Sequence, residues 1–312
     1  MALYDSKKVV VAVKYGGTAT GTDAVSVTNE DVRVTPTSGS GSFKELNGKL
    51  GNKTTWMNTD DTTGEVTVEG FLLGNDGTGA ALDTPPVWDD IYKICGLDEA
   101  IETGLSVSYV PSQSQPSDLS SVAIWRDGRK RVLTGAVGTL TISGNIGEPI
   151  KQSAVINGFT TITSVAEDNP SATSIDETLL LVLKSIDTVT ISGVAVKAQS
   201  FTLTQSNDNQ KQYFVGYKDY ERVDFDSTLE VTYLKENEDV YTAFAAGSTV
   251  PVIIKAGAVN GKKVQITCGQ AVVDGTPTET SINGKEAFTV KYSLQGDATG
   301  ENQFQIKYGT IA

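Results

Sequence analysis

The sequence has no histidine in its 312 residues. Histidine is the usual general base near neutral pH and the commonest metal ligand, so Ser-His-Asp sites, Cys-His sites and histidine-bearing zinc sites are excluded. Two cysteines, Cys95 and Cys268, cannot supply a four-thiolate metal site. They read as buried free thiols, because disulfides are rare in cytosolic proteins. Positive charge is scarce, with 25 Lys and Arg against 38 Asp and Glu for a net charge of −13. A grip on duplex nucleic acid depends on neutralising phosphates, and this balance argues against one. Long apolar runs are also missing. Leu179 to Leu183 falls far short of the roughly 20 residues that span a bilayer. Val9 to Val13 is too brief for a signal peptide and reads as a strand. The expectation is a soluble chain, made in a cytoplasm and not inserted into a membrane.

The residues present favour strands and turns. Glycine numbers 31, threonine and valine recur throughout, and hydrophobic residues reach 38%, a balance that predicts a mainly β fold. Val32-Arg33-Val34 and Glu65 to Phe71 alternate with period two, as half-buried strands do. A helix is predicted from Pro85 to Cys95, capped by Thr84 and stopped by Gly96, with Trp88, Ile91 and Cys95 on one stripe. Strands resume at Leu105–Val110 and Val122–Trp125. Asp127-Gly128 marks a hairpin turn, followed by strands at Arg129–Gly135, Leu140–Ser143 and Ile150–Ile156.

A polar, turn-rich stretch around Asp168 to Ser174 reads as a linker, and a second cycle follows it. Strands at Thr188–Ile191, Phe201–Thr204, Gln212–Gly216 and Leu229–Leu234 precede a short helix, capped by Asn237, that carries Tyr241 and Phe244. Val250–Lys255, an Asn260-Gly261 turn, Val264–Cys268, Ala287–Leu294 and Phe304–Tyr308 complete the cycle. The two cycles match in order. Glu65-Val66-Thr67 answers Glu230-Val231-Thr232, Asp90-Ile91-Tyr92 answers Asp239-Val240-Tyr241, and Asp127-Gly128-Arg129-Lys130 answers Asn260-Gly261-Lys262-Lys263. This colinearity predicts a tandem duplication, with a first β unit at 1–165, a linker at 166–186 and a second β unit at 187–312, each with one helix.

No motif carries chemistry. Asn75-Asp76-Gly77-Thr78-Gly79 occurs once, whereas a calcium site needs six or more oxygens in ordered array. Glu238 and Asp239 suit a helix N-terminus. Paired carboxylates of a glycosidase could lie far apart in sequence, but 3 Trp are few for a sugar cleft. Basic residues cluster at Arg126, Arg129, Lys130 and Arg131. A charged hairpin tip discourages edge pairing; the alternative is contact with an acidic surface of a like subunit. The reading is of a non-enzyme without cofactor or metal.

Several stretches resemble tail tube proteins of long-tailed, non-contractile bacteriophages. They are Gly64 to Leu73, the helix Val87 to Leu97, the hairpin Trp125 to Arg131 running on through Thr134-Gly135-Ala136-Val137-Gly138, Ser143 to Pro149, and Ile156-Asn157-Gly158-Phe159. Asp187 to Gly193 followed by Ser200 to Leu203 is similar to the start of a second such unit. The resemblance implies two tandem β-sandwich or barrel units, each with a flanking helix, whose copies join edge to edge into a ring with a continuous inner β-barrel. Rings would stack into a tube of the virion. Family members mostly carry one unit and form hexamers, so two units imply a homotrimer of pseudo-sixfold symmetry. The implied partners are further copies, the tape measure protein, other tail proteins, and genomic DNA passing without specific binding. A distal tail or tail terminator protein, or a carbohydrate-binding adhesin, is the competing expectation.

In that frame the polar strand faces, Glu65, Thr67, Glu69, Glu230 and Thr232, are lumen-facing candidates. A long segment from Thr37 to Thr63 has Ser38 to Ser42 for flexibility, yet Phe43, Leu46, Leu50, Trp56 and Met57 are more apolar than a solvated loop requires. With Tyr213, Phe214, Tyr217 and Tyr220 of the matching stretch Gln205 to Asp226, and with the basic cluster, these are the candidates for contact between rings or subunits.

Overall fold

The computed structural model describes residues 9–29, 32–44, 53–75, 82–117, 119–171, 174–184, 187–236, 238–257, 262–298 and 300–311. The protein is mainly β. Its first half supplies β1 (Val9–Lys14), β2 (Ala24–Val25), β3 (Thr37–Lys44), β4 (Lys53–Phe71), β5 (Leu97–Glu102), β6 (Ser106–Pro111), β7 (Ser121–Arg126), β8 (Arg129–Asn145), β9 (Lys151–Phe159) and β10 (Val165–Ala166). The helix α1 (Asp89–Ile94) lies between β4 and β5. The second half supplies β11 (Thr188–Ile191), β12 (Val194–Val196), β13 (Ala198–Phe214), β14 (Tyr217–Leu234), β15 (Thr249–Ala256), β16 (Lys263–Val273), β17 (Thr278–Ile282), β18 (Lys285–Leu294) and β19 (Gln305–Gly309), with α2 (Asp239–Ala246) between β14 and β15.

All these strands pair antiparallel. In the first half β1 pairs with β7, β7 with β8, β8 with β9, β9 with β4 and β4 with β3. In the second half β11 pairs with β15, β15 with β16, β16 with β18, β18 with β14 and β14 with β13. Two ladders join the halves, β8 to β13 and β6 to β19. Side chains on one face of these strands merge into a buried cluster that includes Val66, Val68, Ile142, Ile156, Phe201, Leu203, Leu229, Val231, Val290 and Tyr292. Residues 174–184 add Leu181 and Leu183 to it, and Leu179 is buried as well.

The Asp127-Gly128 turn forms as expected, with φ of 46° and 77°, the left-handed pair that a two-residue hairpin requires. Gly96 ends the first helix at φ 80°, and Trp88, Ile91 and Cys95 are buried. That helix is shorter than the expected Pro85–Cys95, beginning at Asp89. Pro86 follows Pro85, and a residue before proline is pushed away from the helical region. Asn237, the Asn260-Gly261 turn and Asp76 to Gly79 lie outside the described residues.

Three expectations are corrected. Val32-Arg33-Val34 is not a strand; the neighbouring Thr28 and Asn29 instead bond the edge of β4, through Thr28 N to Glu69 O and Asn29 Nδ2 to Thr67 O at 2.8 Å each. Ser38 to Ser42 is not a flexible loop but part of β3, because pairing with β4 satisfies its backbone. Gln205 to Asp226 holds more strand than the expected Gln212–Gly216. β13 runs on to Phe214 and β14 starts at Tyr217, around a turn at Val215-Gly216, with a register shift between Asp208 and Asn209.

Candidate assembly surface

Six strands from both halves form one continuous array in the order β4, β9, β8, β13, β14, β18. Residues directly opposite each other share a face, so the register can be read straight across. One row runs Glu69, Ser153, Thr141, Thr204, Thr228, Ser293; the next runs Lys151, Ser143, Thr202, Glu230, Lys291 from β9 to β18. The neighbouring row holds Asn145, Ser200, Thr232 and Thr289, with Thr232 Oγ1 and Thr289 Oγ1 3.0 Å apart. The opposite face is the apolar cluster. Glu65, Thr67, Glu69, Glu230 and Thr232 therefore lie on one face, where Glu65, Glu69 and Glu230 are exposed and Thr67 and Thr232 half-buried. Glu230 stands opposite Lys291, which also meets Asp274 at 3.1 Å.

Two long hairpins extend from this array, β3–β4 from the first half and β13–β14 from the second, and they meet. Lys218 Nζ is 2.7 Å from Asp60 Oδ1 and Lys211 Nζ is 2.8 Å from Asp61 Oδ1. Asn58 Nδ2 donates to the Tyr213 hydroxyl at 3.0 Å. The Lys218 ammonium, by ion pairing and hydrogen bonding, holds the Asp60 carboxyl below the usual carboxylate range. Phe43, Trp56, Met57, Tyr213, Phe214 and Tyr217 are exposed on the hairpins, Trp56 at 55% and Phe214 at 64%. Tyr220 differs from these. It is half-buried with its ring 5.1 Å from that of Phe159, so it packs within the chain. Leu46 and Leu50 lie outside the described residues.

The second hairpin is also anchored on the first half. Arg222, 4% exposed, donates to the carbonyl oxygens of Gly96, Ser112 and Ser114. Asn207 Nδ2 donates to Cys95 O at 2.7 Å and Gly138 O at 2.6 Å, and Gln205 Nε2 to Cys95 O at 3.0 Å. Carbonyls at the end of a helix lack intrahelical donors; those after α1 are served by side chains of β13 and β14. Sequence reasoning did not single out Arg222, Gln205 or Asn207. A polar residue amid alternating strand positions signals burial only once its partner across the fold is known.

The basic cluster divides. Arg126, Arg129 and Arg131 line a cavity of about 410 Å³ together with Arg33, Val32, Val34, Ile124 and Ser164. Arg131 also donates to the carbonyls of Thr161 and Ile162, and burial lowers its pKa. Lys130 instead pairs with Glu167 at 3.2 Å and sits 4.7 Å from the Trp125 ring centroid. Both cysteines are buried free thiols, each pushed up to about 12 by burial.

Among the described residues, no group of three His, Cys, Asp or Glu is placed to hold a metal ion, and no helix is long and apolar enough to cross a membrane. No protein-family model matches the chain, and no curated protein matches it.

Proposed function

We propose that the protein is a structural tail tube protein of a long-tailed bacteriophage, in which two β units per chain build a ring and the rings stack into a tube. The observation that carries the reading is the repeated series of pairings. The first-half series β1, β7, β8, β9, β4, β3 recurs in the second half as β11, β15, β16, β18, β14, β13, with a helix after β4 and after β14. Duplicated units of this kind favour three chains per ring, giving six equivalent positions.

The polar face of the six-stranded array suits the inner wall. It carries Glu65, Glu69 and Glu230 together with Lys151 and Lys291 on a lawn of serine and threonine. Carboxylates interspersed with these lysines offer no continuous basic stripe to hold a passing duplex, and the field of each charge fades within a Debye length of about 8 Å. Closing the array into a barrel also removes its edges, which otherwise invite uncontrolled pairing. The reading requires no active site. The tape measure protein, other tail proteins and transiting DNA are its partners, and the virion tail its location.

Light scattering coupled to size exclusion and negative-stain microscopy of the purified chain test it. Three-chain rings or tubes with an open centre are expected; a protein that stays monomeric at high concentration overturns the proposal.

A further inference from the structure

We propose that the arginine-lined cavity at the β7–β8 hairpin is a binding site for a small polyphosphate anion. The inference stands apart from the ring reading above and does not depend on it.

Four of the five arginines in the chain line this one cavity, in a protein of net charge −13. The register of the hairpin explains how three of them come together. Ile124 stands opposite Arg131. The next pair on the same face, flanking the two-residue turn, is Arg126 and Arg129. The other face carries Trp125 opposite Lys130, and the ammonium lies over the indole ring. The tight turn therefore sorts the basic cluster, with three guanidinium groups on the cavity face and the lysine behind them. Arg33 is the fourth cationic lining residue, and Val32, Val34 and Ile124 add buried apolar surface.

Such an arrangement works against folding, because like charges opposite each other on a strand pair are destabilising. An anion bound among the guanidinium groups reverses the sign of that interaction. Arg33, Arg126 and Arg129 each have an interaction within the chain, but a guanidinium carries five N–H donors and one contact does not exhaust them. Arg131 is already held in place, since its Nη1 and Nη2 donate to the carbonyl oxygens of Thr161 and Ile162 at 3.4 and 3.1 Å. A side chain fixed by the fold loses less entropy when it binds a ligand.

Charge and size select the ligand class. A carboxylate balances one guanidinium, whereas two linked phosphates bring about three negative charges. Their oxygens also suit the planar fork of arginine, which grips phosphate through paired hydrogen bonds. The cavity, at about 410 Å³, falls in the range of roughly 300–1,000 Å³ typical of small-molecule sites. The Ser164 hydroxyl is a further donor in its lining.

Equilibrium dialysis of the full chain against radiolabelled pyrophosphate tests the site, with a chelator present and at about 0.15 M salt to screen exposed charges. Saturable binding of one pyrophosphate per chain is expected. Arg126→Gln/Arg129→Gln should weaken it at least about ten-fold, and Lys130→Gln, on the other face, should leave it unchanged. Arg33→Gln, outside the hairpin, should weaken binding as well and keeps the test decisive if the double variant unfolds. Unlabelled ADP as competitor separates the sources of phosphate: displacement equal to that by pyrophosphate admits nucleotides, its failure restricts the site to inorganic anions, and both results support the site. Absence of saturable binding to wild type, or equal loss from Lys130→Gln, overturns the proposal. So does displacement by succinate as strong as that by pyrophosphate, which would assign the cavity to carboxylates.

Discussion

Arg222 Nη1 donates to the carbonyl oxygen of Gly96 at 3.0 Å, so a guanidinium from β14 in the second half closes the end of α1 in the first. Its other nitrogen serves Ser112 and Ser114. Removing the side chain takes the Arg222 donors from the carbonyls of buried Ser112 and of Ser114 and one of the two donors from Gly96 O, which also accepts from Ser112 N, and an unsatisfied buried group costs about 1–3 kcal/mol. Arg222→Ala should lower unfolding stability by about 3 kcal/mol, read from the midpoint of urea denaturation. Arg222→Lys, whose compact ammonium cannot fork to separate carbonyls, should recover only part of that.

The division between what the sequence discloses and what it hides has a physical basis. Strands such as Glu65 to Phe71 were legible because one face is buried and the other wet, which imposes alternation. Val32 to Val34 alternates just as clearly but forms no ladder, since alternation reports burial of a face and not the partner for the backbone. The β3–β4 hairpin is hidden in the sequence for the opposite reason. β3 reads Thr-Ser-Gly-Ser-Gly-Ser, with little side chain to pack, and its strand state comes from β4. The tripeptides Glu65-Val66-Thr67 and Glu230-Val231-Thr232 sit two positions apart once the strand ends Phe71 and Leu234 are aligned. A shift of two preserves the face of every residue, which is why the sequence match still groups residues of one face.

The joint between halves depends on close approach at Gly144. A Cβ there would meet Phe201 Cε1 at 2.6 Å and Cζ at 3.1 Å, and Phe201 is buried in the core. Gly144→Val should cost about 1–3 kcal/mol by overpacking. Calorimetry should show a lowered Tm, whereas Gly147→Ala, with nothing within 4 Å of its Cβ, loses only what its φ of 84° demands.

Asp90 gives a pH dependence of known sign. Burial raises its pKa above the ordinary 3.8, outweighing the bond from Tyr15 N and the attraction of Lys14. A carboxyl with a raised folded-state value favours folding while protonated, and that contribution is lost as pH rises from about 3.8 through the raised value. Asp90→Asn keeps an oxygen for Tyr15 N and removes the charge. Its stability relative to wild type should therefore improve across that window and stay level above it, as urea midpoints from pH 3 to 7 would show.

Cys95 and Cys268, both near 12 and buried, should be inert in the native protein. A thiol-specific chromogenic reagent at pH 8 should titrate no thiols in the folded chain and two after denaturation. Rapid reaction of either one in the native state would contradict its burial.

The exposed aromatic residues of the two hairpins supply the last prediction. Phe43, Trp56 and Met57 from β3–β4 and Phe214 at the end of β13 are all more than half exposed, on hairpins tied together by the Asp60–Lys218 and Asp61–Lys211 pairs. Side chains of this size contribute little to the fold from such positions, while apolar clusters at interfaces dominate association. Trp56→Ser/Phe214→Ser should leave the unfolding free energy from urea denaturation within about 0.5 kcal/mol of wild type and leave three-chain rings intact, but abolish tubes in negative stain. Replacing 43–52 by a short Gly-Ser linker should do the same. Undiminished tubes from both variants would remove the hairpins from ring stacking, and unfolding of either would mean that the aromatic residues pack onto their own chain.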